Sequence, residues 1–172
     1  MNIIKMFLIF LFLIVTSVFS SCENDQSVQG DSRQVYFNPF ESQSDTSGWD
    51  GYAFSFNDDT PRHGGRQSLY ISGGCIIPHA RIILPSQPTD CYLVLKCWGK
   101  NLTDGGGVTL YVDKAGYGAV SINVMEKQWT SYVSEDKLFC PANTSPVLQI
   151  TSGGIASSSI LVDMIEVRTD NN

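Results

Sequence analysis

The residue whose chemistry most needs an explanation lies in the closing stretch, Ser159-Ile160-Leu161-Val162-Asp163-Met164-Ile165-Glu166-Val167-Arg168. At the strand period of two, Leu161, Ile165 and Val167 share one face with Asp163. A carboxylate among inward-pointing aliphatics is costly unless hydrogen bonds or a cation answer it. Two readings are open. Asp163 is either a rim residue, hydrated or bonded to backbone amides, or a ligand to a hard metal ion that ties the last strand to another part of the fold. Spacing alone favours the first.

The other reactive residue types support little catalysis. His63 and His79 are single histidines, without the H-E-x-x-H spacing of a metallohydrolase. No G-x-S-x-G elbow is present for a serine nucleophile. A sugar hydrolase needs two carboxylates facing one cleft. Asp163 and Glu166, three apart on one strand, point to opposite faces. Cysteines fall at 22, 75, 91, 97 and 140. No Cys-x-x-Cys pair marks a zinc site, and Cys91 and Cys97 lie too far apart on one strand to bond each other. The expected state of Cys75, Cys91, Cys97 and Cys140 is buried thiols, with a Cys75–Cys91 bridge as the alternative in an oxidising compartment.

These residues must be positioned by what surrounds them, and the chain begins with an address. Lys5 precedes an unbroken apolar run, Met6 to Val15, too short to span a bilayer but fitting the core of a signal peptide. Val18-Phe19-Ser20-Ser21-Cys22 then resembles a bacterial lipobox, which implies cleavage before Cys22 and acylation of that cysteine, palmitate included. Residues 1–21 are thus read as a lipoprotein signal peptide and 22–33 as a polar tether, too poor in aliphatics to fold. The acids after Cys22 resemble the export signal of lipoproteins displayed on the outer face of the outer membrane. Contact with membrane is expected through the lipid anchor only.

The remainder, 34–172, is the size of one domain. The chain is 42% hydrophobic and 16% charged, with a net charge of −6 that becomes −7 once Lys5 is removed. With no basic stripe and no nucleic-acid motif, nucleic acid is excluded as a partner. A neutral ligand or a cation suits the acidity better. Glycine pairs and scattered prolines punctuate short runs rich in Val, Ile, Tyr and Phe, which places strands near 34–37, 52–57, 67–72, 75–84, 91–99, 107–112, 117–124, 129–134, 147–151 and 159–168. No window carries a helical period. The pattern is that of an all-β, antiparallel β-sandwich.

Landmarks in order along this domain are Asn38-Pro39-Phe40-Glu41, Gly48-Trp49, Gly65-Arg66-Gln67-Ser68-Leu69, a strand ending Trp98-Gly99-Lys100, Gln128-Trp129-Thr130, and Leu161-Val162-Asp163-Met164-Ile165. The set resembles the galactose-binding-like jelly roll of many carbohydrate-binding modules, over about 35–168. The resemblance implies a structural Ca²⁺ shared by Glu41 and Asp163, with carbonyls near Gly65 and Ser68 assisting. Such a set suits an ion that takes six to eight hard oxygens. Asp58 and Asp59 are read as solvating their loop.

For a ligand, alternation on 91–99 puts Tyr92, Val94, Lys96 and Trp98 on one face. Rings of Tyr92 and Trp98 offer stacking surfaces for sugar C–H patches, and Lys96 a donor to hydroxyls; Trp98 packed under a loop is the competing reading. Tyr111 and Tyr117 flank a turn and either join that face or plug the sandwich, while Trp49 and Trp129 are assigned to the core. A rim site would instead recruit Asp58, Arg62 and His63. The expected function is non-catalytic binding of an oligosaccharide or polysaccharide by a surface-anchored lipoprotein that assists glycan capture. The alternatives are an adhesin or protein-interaction subunit of a surface complex, and a small glycan hydrolase or lyase.

Overall fold

The computed structural model describes residues 32–74, 79–153 and 158–170. The residues read as a signal peptide, Cys22 and Cys75 lie outside them. The described strands are β1 (Gln34–Asn38), β2 (Asp50–Tyr52), β3 (Phe54–Asn57), β4 (Ser68–Ser72), β5 (His79–Ile83), β6 (Cys91–Thr103), β7 (Gly106–Val112), β8 (Ala119–Val124), β9 (Thr130–Val133), β10 (Leu138–Cys140), β11 (Pro146–Ser152) and β12 (Ser159–Thr169). All named pairings are antiparallel, in a seven-stranded and a five-stranded sheet. The expected β-sandwich is therefore the fold.

In the larger sheet β6 and β12 form the centre, with β9 and β10 on the far side of β6 and with β1, β4 and β3 beyond β12. The smaller sheet runs β2-β5-β11-β7-β8. Between the sheets pack the inward sets of each strand: Leu93, Leu95 and Cys97 of β6, Val108, Leu110 and Val112 of β7, Val120, Ile122 and Val124 of β8, and Leu148 and Ile150 of β11. Strict alternation is what makes this possible, since every second residue can then remain polar on the outside. Gly99 on β6 lets the two sheets approach, because a Cβ there would come 2.8 Å from Val124 Cγ2.

Three sequence expectations are corrected. The run 52–57 is not one strand. Ala53 takes a left-handed conformation (φ 60°), and the chain crosses there from β2 in the smaller sheet to β3 in the larger. The short strand β10 was not anticipated, being only three residues long. Most consequentially, β12 carries a bulge: Asp163 pairs with Trp98 and Glu166 with Lys96, so one extra residue is accommodated, and Met164 has φ 48°. The bulge reverses the parity of the strand. Ile160 and Val162 face the core before it and Ile165 and Val167 after it. Asp163 does not share the face of Ile165 and Val167; it points outward from the sandwich with Leu161. Glu166 then lies on the same side as Asp163, not the opposite one.

Candidate functional site

Asp163 is nonetheless completely buried, because a strap between β3 and β4 covers it. Two local features build that cover. At the N-terminal side, the Asn38 amide donates to the Tyr36 hydroxyl (2.9 Å) and to the Asp45 carbonyl (2.7 Å), while its carbonyl oxygen accepts from Phe40 N–H (2.9 Å). This holds Phe40 at φ 51° with its ring in the core, and it delivers Glu41 to the strap. In the strap itself, Gly64 N–H donates to the Pro61 carbonyl (2.8 Å), closing a turn. Asp59 pins the strap to the sheet: its carboxylate accepts from Lys100 Nζ (2.6 Å) and Trp129 Nε1 (2.8 Å), and its carbonyl accepts from the Ser68 hydroxyl (2.7 Å). Burial works to raise the Asp59 pKa, but those two donors and the Lys100 charge draw it below the usual value. Asp59 is thus a fastening and not a loop-solvating group, whereas Asp58 is exposed as expected.

The strap brings Glu41 and Asp163 together around Gly64 and Gly65. Glu41 accepts from Arg66 N–H with both oxygens, at 3.1 and 2.8 Å. Asp163 Oδ1 accepts from Met164 N–H (2.7 Å), while Oδ2 is buried with no hydrogen-bond partner. A Cβ at Gly64 would overlap Asp163 Oδ2, and one at Gly65 (φ 73°) would overlap the Glu41 carboxylate. The two glycines therefore leave room for backbone close to both acids. Burial, opposed by the Met164 amide and reinforced by the charge of Glu41, pushes the Asp163 pKa up to about 7.

An orphaned buried oxygen beside a second carboxylate in a glycine-lined cradle fits a hard cation, which would satisfy the free oxygen and cancel the like-charge repulsion. Among the described residues no three His, Cys, Asp or Glu side chains gather as a metal cluster. Further oxygens would come from backbone or water. Gly65 contributes a carbonyl that already accepts from Thr60 Oγ1 (3.2 Å), and Ser68 is buried at the start of β4. Arg62 and His63 are exposed.

Tyr92, Lys96 and Trp98 all face outward from the larger sheet, as alternation requires. Tyr92 and Trp98 stand six residues apart, roughly 20 Å along the strand, so they do not form one compact platform. Tyr92 is exposed and its ring lies 5.5 Å from that of Phe139 on β10. Trp98 is half-buried opposite Asp163, and Lys96 is exposed opposite Glu166. Trp49 is in the core, its indole N–H donating to the Tyr36 hydroxyl (3.1 Å); Trp129 is only partly buried. Tyr117 packs against the core and stacks 6.3 Å from Phe139.

The outer face of the smaller sheet was missed by reasoning from single strands. Its registers align Asp50, Arg81, Gln149, Thr109 and Ser121 in one row across all five strands. A parallel row holds Tyr52, His79, Thr151, Gly107 and Asn123. The Tyr52 ring meets His79 edge-on at 5.0 Å. Arg81 Nη2 lies 3.5 Å from Asp113 Oδ2 and its Nε is buried without a partner. Tyr111 also belongs to this face, its hydroxyl donating to Gln149 Oε1 (3.4 Å). At the β8 edge the rows run into a cleft of about 380 Å³ whose lining includes Ser121, Asn123, Tyr132, Glu135 and Asp136. The available signal was the clean alternation of β7, β8 and β11. What it could not supply was the pairing that places their polar residues side by side.

No family model and no curated protein matches this chain. Solved structures do match. A family 16 carbohydrate-binding module shares 19% identity over 71% of this chain and 91% of its own, with a TM-score of 0.55. The CBM22-1 xylan-binding domain of Xyn10C from Paenibacillus barcinonensis shares 14% over 80% and 95%, at 0.59. TmCBM61, solved in complex with β-1,4-galactotriose, shares 14% over 80% and 99%, at 0.52. The chain therefore has the jelly-roll β-sandwich fold of these carbohydrate-binding modules.

The Asp163 environment sets a pH dependence for the metal-free protein. Unfolded, Asp163 ionises near 3.8; folded, it keeps its proton up to about 7. Its contribution to stability is full below 3.8 and is lost as pH rises through 7. In chelator, urea midpoints measured from pH 4 to 8 should fall more steeply for the wild type than for Asp163→Asn. Parallel curves would contradict the assignment.

Proposed function

We propose that this chain is a non-catalytic glycan-binding module, carried on the cell surface by a lipid on Cys22 and stabilised by Ca²⁺. The observation that carries the binding reading is the pair of registered rows on the outer face of the smaller sheet. They give a surface about 19 Å wide on which the Tyr52–His79 edge offers ring surface and Arg81, Gln149, Thr109 and Ser121 offer donors and acceptors. A saccharide presents the complementary pattern, with apolar C–H patches between hydroxyls. The fold likeness to modules solved with or named for xylan and galactan oligosaccharides supports the same class of ligand, and the absence of a basic stripe in the sequence argues for a neutral one. Glycan would be held by hydrogen bonds and stacking, with no bond made or broken.

Affinity electrophoresis against a polysaccharide panel tests this. The wild type should be retarded by at least one glycan, Tyr52→Ala and Gln149→Ala should each weaken retardation about tenfold, or roughly 1.4 kcal/mol, and Tyr92→Ala should not. Loss of binding in Tyr92→Ala with Tyr52→Ala unaffected would move the site to the larger sheet. No retardation by any glycan, with a stoichiometric protein captured instead, would favour an interaction subunit.

The Ca²⁺ reading rests on the unmatched Asp163 oxygen beside Glu41. When bound, the ion would neutralise the two acids and tie the segment that follows β1 to the last strand. Calcium should raise the melting temperature of the chelated wild type in proportion to the logarithm of its concentration and leave Asp163→Ala unmoved; an equal response in both would refute it.

The lipid reading rests on the residues around Cys22. Wild-type chain should incorporate labelled palmitate and sediment with membranes, and Cys22→Ala should do neither. A labelled Cys22→Ala chain would overturn it.

A further inference from the structure

Two of the buried cysteines face each other. Cys91 opens β6, Cys140 closes β10, and they are direct partners in the antiparallel ladder. Leu138 and Cys140 of β10 point inward while Phe139 points out, so both thiols lie on the core side. Directly opposed residues in such a ladder have Cα atoms about 4.5–5.5 Å apart, inside the range of about 4.4–6.8 Å that a disulfide spans. Cys140 Sγ approaches the Thr144 carbonyl at 3.6 Å. Cys97, by contrast, is opposite Tyr132 and fully buried among apolar side chains.

We propose that Cys91 and Cys140 are oxidised to a cross-strand disulfide as the chain folds outside the cytoplasm. The compartment rests on the exported-lipoprotein reading; the choice of partners rests only on the register. In the step, the thiolate of one cysteine attacks a disulfide-bearing oxidant, such as an oxidised dithiol oxidoreductase or glutathione disulfide, forming a mixed disulfide and releasing one thiol. The second cysteine, losing its proton, displaces the remaining thiol and completes the Cys91–Cys140 bond. Two electrons and two protons pass to the oxidant, which leaves as two thiols. Timing follows from burial: Cys140 is wholly covered and Cys91 nearly so, so an oxidant reaches them before the sandwich closes. The bond would fasten a three-residue strand that pairs with β6, and it would close a loop containing β7, β8 and β9.

The test uses chain exported to the oxidising periplasm of a bacterial host, denatured with iodoacetamide present and no reductant, then digested and mapped by mass spectrometry. The expected result is a peptide of Cys91 linked to one of Cys140, two hydrogens lighter than the sum, with Cys97 alkylated. Reductant should lower the melting temperature of the same protein by about 5–15 °C and leave the Cys91→Ser/Cys140→Ser double variant unchanged. Alkylation of both Cys91 and Cys140 without reduction, or linkage of either to Cys75 or between chains, would overturn the proposal. The peptide map decides the matter even if the double variant fails to fold.

Discussion

A carboxylate sealed from water with one oxygen unmatched constrains everything around it. Asp163 occupies that position because a one-residue bulge in β12 turns it out of the core and a strap then closes over it. The strap holds only because its own groups are accounted for elsewhere, Asp59 on Lys100 and Trp129, Ser68 on the Asp59 carbonyl, and Pro61 on Gly64. The N-terminal segment is drawn into the same arrangement through Asn38, which shapes the turn that seats Phe40 in the core and sends Glu41 to the strap. First strand, strap and last strand thus share one electrostatic problem. Two glycines leave space for its solution, since any Cβ at Gly64 or Gly65 would meet the acids.

The two sheets consequently present different outer surfaces. The larger is partly covered by the strap, and its exposed aromatics are the Tyr92–Phe139 pair on β6 and β10 and Phe37 on β1. The smaller has polar and aromatic side chains in registered rows, backed by the aliphatic layer beneath them. A mostly polar sheet face with its backbone paired costs little to keep in water. On the proposed glycan reading, a face already fixed by its strand pairing would lose little ordering entropy on binding. The carboxylate cradle and this face lie on different sheets.

Local pattern made much of this architecture readable. Glycine and proline punctuation and the alternation of β6, β7, β8 and β11 determined a sandwich, and the ordered landmarks from Asn38 to Asp163 singled out the acids at the two ends of the domain. The oddity of Asp163 was also visible in sequence, since an acid in an aliphatic strand needs an answer in any fold. Its direction was not. Whether a strand keeps its parity depends on a bulge, which the partner strand and the covering strap select, and a non-glycine residue such as Met164 gives no sign that it will adopt a positive φ. The same holds for Ala53, where one residue splits an apparently continuous strand between two sheets.

Sequence by itself therefore determined the class of fold, the surface-exposed character of alternate positions and the acids at the two ends of the domain. Tertiary structure alone decided which side chains are neighbours. Tyr52 beside His79, Arg81 beside Gln149 and Cys91 beside Cys140 are adjacent through strand register, and register is a property of pairs of segments far apart in the chain. The energy that selects it comes from the whole inward set of side chains at once, so no single stretch carries the information.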